Sequence, residues 1–229
     1  MKKKQVKEDK TEAIVSALKY KASTKQLIYR NTMEIFSRMK AIAEEVTDEL
    51  AARFAAIDPH VIIEYSDKNQ FEFHVKFSGD LLVFTMHSNV ITFPPDHILY
   101  KNEYCQEDSR RIFFGHIMVY NFMADSIKYN RLHDPGYFVA RLLLNFENHF
   151  YVEGVKQLNF LHPDVATNII AEDILKLFIE SAMLLAIETD LQAPPLQEIM
   201  VISLQEKTDN MMVHGGEKVG FKMKAGQNR

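Results

Sequence analysis

The sequence predicts an α+β fold: a long N-terminal helix, an antiparallel sheet of roughly seven to nine strands, and one long core helix packed on the sheet. Three patterns carry that reading. Apolar residues recur at three- and four-residue steps from Thr24 to Ala56, alternate at two-residue steps from Val61 to Phe93, and form a broad helical stripe from Asp164 to Leu191.

The first 24 residues are expected to be a basic, disordered tail. Up to Lys25 the chain carries lysines at 2, 3, 4, 7, 10, 19, 21 and 25 against Glu8, Asp9 and Glu12, a balance of 8 − 3 = +5, with little to bury. In the first helix, Ile28, Thr32, Ile35, Met39, Ile42, Val46 and Leu50 share a face, Thr24 suits a cap, and Asp58-Pro59 stops the run. At 1.5 Å per residue it would span on the order of 45–50 Å, more than a small sheet needs for cover. The stripe Ile35, Met39, Ile42 and Val46 is therefore expected to engage a partner, first of all a second copy in a homodimer.

Val61, Ile63 and Tyr65, then Phe71, Phe73, Val75 and Phe77, then Leu82, Phe84 and Met86, then Ile91 and Phe93 read as a four-stranded meander. Its turns are expected at Asp67-Lys68-Asn69, Gly79-Asp80 and Ser88-Asn89. Those turns set Phe77 opposite Leu82, Val75 opposite Phe84, Ile63 opposite Phe73 and Met86 opposite Ile91, apolar against apolar throughout. Pro94-Pro95 closes the meander, and residues 96–111 connect to a central strand, Ile112 to Asn121, apolar on both faces. Strands follow at Tyr137 to Phe146 and His149 to Val152. The core helix begins behind Pro163-Asp164 and ends before Pro194-Pro195. Ile199 to Leu204 and an edge strand through Val219, Phe221 and Met223 complete a single domain of residues 25–223, with 224–229 frayed.

With 47% hydrophobic and 25% charged residues and a net charge of −4, the chain as a whole has no global attraction for nucleic acid. One cysteine, Cys105, rules out an internal disulfide and a cysteine-rich zinc site, and no signal or spanning segment is legible. The cytoplasm is the expected compartment, with no membrane contact. Nucleophile and phosphate-loop patterns fail: Gly-x-Ser-x-Gly is absent, and His214-Gly215-Gly216-Glu217-Lys218 lacks the Gly-Lys-Ser/Thr ending. His116, among Phe114, Ile117 and Met118, reads as a hydrogen-bonded core imidazole, and His149 as a surface partner of Glu153.

Two clusters remain. The expected register places Glu64, Glu72 and His87 in one row on the polar face of the meander, a set able to bind a divalent metal or exchange protons. Lys2, Lys3, Lys4 and Lys7 of the tail, with Lys218, Lys222 and Lys224 of the last strand, form a basic set suited to nucleic acid. The leading expectation is a non-enzymatic, intracellular adaptor, sensory or assembly module that binds a protein partner and needs no cofactor. An enzyme using the Glu/Glu/His row, a nucleic-acid accessory protein, and an apolar ligand pocket under the core helix are the alternatives.

Overall fold

The computed structural model describes residues 10–155, 158, 164–193, 195–201, 204 and 217–218. Six strands, β1 (Ile63–Asn69), β2 (Glu72–Phe77), β3 (Asp80–Ile91), β4 (Phe114–Met123), β5 (Tyr137–Leu144) and β6 (Phe150–Gly154), form one antiparallel sheet in chain order. The helices are α1 (Lys10–Ala17), α2 (Ser23–Ala55), α3 (Glu103–Glu107), α4 (Ala124–Lys128), α5 (Glu172–Ile187) and α6 (Leu196–Ile199). The fold is α+β as expected, and α2 and α5 lie side by side over one sheet face.

Alternation explains that face. Phe73, Val75, Leu82, Phe84, Met86, Ile117, Val119, Leu142, Leu144 and Val152 all point at the helices and are buried with them. Phe73 and Phe84 stack at 4.5 Å between centroids, and Phe36 of α2 closes on Phe73 at 5.3 Å. Each such side chain contributes roughly 1.5–3 kcal/mol by burial. The helix lies lowest over β4 at Gly115, where a Cβ would collide with the Thr32 side chain, so only glycine permits the close approach.

Several expectations are corrected. The first helix does not begin at Thr24. It runs back through a π turn, Leu18–Ala22, to Lys10, and Thr24 is buried with its hydroxyl donating to the Tyr20 carbonyl instead of capping. Ile35, Met39 and Val46 are buried in the protein's own core and Ile42 packs against it, so this stripe covers the sheet and is not free to meet a second copy.

The β2–β3 turn is Ser78-Gly79, with Ser78 at φ 56°, so Phe77 faces Asp80, Val75 faces Leu82 and Phe73 faces Phe84. The β1–β2 turn is Gln70-Phe71, where Asn69 Oδ1 accepts from the Phe71 N–H at 2.8 Å, and Ile63 faces Phe77. Ser88-Asn89 makes no turn. β3 continues past it through an irregularity between His87 and Ile91, and Ile91 pairs with Phe114.

The core helix is shorter than expected. Asp164 Oδ1 accepts from the Ala166 N–H at 3.0 Å in a local turn, and residues 168–170 then pair with the start of β6 through Phe150 N–H to Asn168 O and Ile170 N–H to Asn148 O, both 3.0 Å. Those pairings claim the backbone of the stretch expected to be the first helical turns. Among the described residues the sheet has six strands, fewer than seven to nine. Leu196–Ile199 is helical, and the remaining strands are a separate two-residue pair, β7 (Leu191–Gln192) with β8 (Glu217–Lys218). Lys2, Lys3, Lys4, Lys7, Val219, Phe221, Lys222, Met223 and Lys224 lie outside the described residues.

Candidate binding cleft

The face of the sheet turned away from α2 and α5 divides into a roofed half and an open half. The roof is the connection between β3 and β4. Leu99 and Cys105 drop from it onto Phe114, Leu143 and Val165, and Phe93, Tyr104 and Tyr151 pack around them. One polar network holds it down: the Tyr104 hydroxyl donates to Glu147 at 2.5 Å, Arg111 Nε donates to the same carboxylate at 2.8 Å, and Asn145 donates to the Tyr104 oxygen at 2.8 Å. The tyrosine ring lies between the Arg111 guanidinium, 4.1 Å from its centroid, and the stacked imidazole of His149. His149 gives its other contact to the Val165 carbonyl at 2.8 Å, so it is a clamp under the roof and not a partner of Glu153. Glu153 instead pairs with Arg141. Burial pushes the Cys105 thiol up to about 11, which keeps it protonated and unreactive.

The expected Glu64, Glu72 and His87 row does not form, although all three side chains keep to this face. Glu64 lies across from Lys76 with 3.5 Å between their charged ends, Glu72 sits opposite Thr85, and His87 sits opposite His116 with the two rings stacked at 4.5 Å. The pairings differ from those expected by two residues between β2 and β3 and by four between β1 and β2, even numbers that preserve the face and shift the row. Among the described residues no group of three or more His, Cys, Asp or Glu side chains is placed to hold a metal ion. His116 departs from expectation too: it is buried, but its Nδ1 has no hydrogen-bond partner among the described residues.

The open half holds a cleft of about 950 Å³ between β1, the β2–β3 turn and α4. Its floor is His74, Lys76 and Leu81. Glu64, Ser66 and Lys68 of β1 line one wall, Asp125, Lys128 and Arg131 the other, and Leu191 reaches in from the chain after α5. Hydrophobic alternation builds this lining: the residues of β1 and β2 that pack on α2 leave their neighbours facing the cleft. Four cations, Lys68, Lys76, Lys128 and Arg131, stand against two carboxylates, Glu64 and Asp125, in a chain whose net charge is negative. Arg131 Nε is enclosed with no hydrogen-bond partner among the described residues, its guanidinium reaching Asp134 at 3.9 Å and lying 5.5 Å from the Tyr129 ring centroid.

His74 adds no charge to this count at neutral pH. Burial lowers it from the ordinary 6.5, and the Glu72 carboxylate, which accepts from Nε2 at 2.8 Å, only partly offsets that. A carboxylate acceptor fixes the proton on Nε2 and leaves Nδ1 as an acceptor. On the wall beside it, burial and then Asp67 and Glu44 push the Tyr65 phenol up to about 12.

β1 stands at the margin of the sheet, with β2 on one side and no strand on the other among the described residues. The cleft thus opens beside a row of unpaired backbone groups. The α2 stripe does not lie in it, and the cleft is not legible in the sequence because its walls come from strand, turn, α4 and the chain beyond α5, separated by up to 127 residues (64 to 191). No protein-family model, curated protein or solved structure matches this chain.

Proposed function

We propose that the protein is a non-enzymatic binding module that takes an extended, acidic segment of a partner protein into the cleft, added as a strand along β1. The observation that carries this reading is the cationic cleft beside the unpaired edge of β1. Backbone hydrogen bonds to a sheet edge supply affinity for any extended segment, and alternate side chains entering an adjoining pocket supply selectivity. Here alternate side chains of the incoming strand stand on the cleft face next to Lys68, with Lys76 and Lys128 across β1 from them, which favours Asp or Glu at those positions. Leu81 and Leu191 offer apolar contact to a side chain between them.

The test is fluorescence anisotropy with a library of labelled extended peptides that differ only in the sign of their alternate residues. Acidic peptides bind, basic ones do not, and affinity falls with added salt. The double variant K68E/K128E, at two surface positions, weakens the acidic peptides by at least about tenfold, a loss of roughly 1.4 kcal/mol, while leaving the melting temperature unchanged. Equal affinity for acidic and basic peptides, or an unaffected double variant, contradicts the proposal.

A further inference from the structure

The helical extension ahead of α2 has no role in the core. From Lys10 through Ala22 it contains no buried residue. An uncovered helix of this length is marginal in water unless something packs on it. The body holds it near its root: the Tyr20 hydroxyl bonds the Ser109 hydroxyl, the Arg110 guanidinium lies 6.0 Å from the Tyr20 ring, and Lys21 and Lys25 lie 6.0 and 5.4 Å from the Phe113 ring. Helical spacing puts Ile14, Val15, Leu18 and Ala22 on the side opposite Tyr20, so this apolar stripe points away from the protein. Ile14, Val15 and Leu18 are 58%, 51% and 57% exposed.

The same wheel sets Lys10 along one margin of the stripe and Lys19 along the other, while Lys21 leans back over the Phe113 ring. Residues 1–25 carry eight lysines, no arginine and three acids, a net +5, whereas the rest of the chain carries −4 − 5 = −9. We infer that this extension docks on an anionic lipid surface, with Ile14, Val15 and Leu18 entering the headgroup boundary and the flanking lysines meeting lipid phosphates and carboxylates. A narrow apolar stripe with lysines on both margins fits a flat, smeared negative surface, since lysine stems lie along the apolar boundary while their ammonium groups reach the headgroups. A second copy would bring like charges together along both margins, and nucleic acid would leave the stripe uncovered. The expectation of no membrane contact rests on the lack of a spanning segment in the sequence. No helix among the described residues is long and apolar enough to cross a membrane, and surface docking needs none.

The test is co-sedimentation of the full chain with phosphatidylcholine vesicles, with and without phosphatidylserine. Binding is expected only to the anionic vesicles, weakening with salt. The variants I14D/L18D and K10E/K19E each reduce it by at least about tenfold with unchanged melting temperature, since all four side chains are exposed. Absence of binding to anionic vesicles, equal binding to neutral ones, or loss in K10E/K19E with full binding in I14D/L18D each overturns the proposal, the last pointing to simple charge attraction of the kind nucleic acid gives. Conversion of a dimer to a monomer by I14D/L18D, without vesicle binding by the parent chain, assigns the stripe to a second copy and overturns it as well.

Discussion

His116 stands between His87 and Leu143 on neighbouring strands, with its ring enclosed and Nδ1 unpaired among the described residues. Burial first, then His87 and Arg141, pushes it down to about 4. Above the unfolded value near 6.5 neither state binds the extra proton. As the pH falls from there toward about 4 only the unfolded chain takes it up, so stability is lost across that window, by on the order of 1–3 kcal/mol. His74, also lowered by burial, adds to the same slope. Urea unfolding of the parent chain at pH 7 and pH 5 therefore shows a drop that H116L reduces; an identical drop in both proteins contradicts this account of His116. The sequence showed His116 in apolar company but not its missing partner, because that depends on which side chains of β3 and β5 stand beside it. Gly115, next to it, carried no readable signal either: its role exists only because α2 crosses at Thr32.

At the scale of elements, periodicity identified every strand of the sheet and both large helices, and it failed at their ends. An alternating pattern fixes which side chains share a face but is unchanged by a two-residue slip, which is why Phe73 and Val75 were placed on the buried face correctly and opposite the wrong partners. Ser88-Asn89 resembled a turn, yet continuing β3 lets Ile91 pair with Phe114 and pack under the roof. In α5 the three- and four-residue steps put Ile174, Leu177, Phe178, Ser181, Leu184 and Leu185 on the expected inner face, which is rotated from the one the sheet covers. The sheet chooses Leu175, Phe178, Ile179, Ala182 and Met183, and leaves Leu184 59% exposed. Substitution separates the two sides: F178A should destabilise by about 3–5 kcal/mol, whereas L184Q should change stability by less than about 0.5 kcal/mol. Equilibrium denaturation measures both, and a large loss in L184Q would show that the outer face of α5 is covered in solution.

Among the described residues the sheet has one face covered by α2 and α5 and the other roofed over half its extent. The α+β class was legible because each layer writes its own period into the chain. The cleft was not, because it is the space left where the roof ends, and its walls meet only after β1, the β2–β3 turn, α4 and Leu191 have been brought together. That incomplete cover, the cationic lining and the unpaired margin of β1 together make the binding surface. The β6 margin is different, since residues 168–170 already pair at its start. The asymmetry between the two margins gives the most direct test. Backbone hydrogen exchange is followed with and without a saturating acidic peptide selected from the library. Strand addition predicts new protection concentrated in Ile63–Asn69, with β6 unchanged. Protection that spares β1, whether it falls on β6, on the outer face of α5 or nowhere, contradicts it.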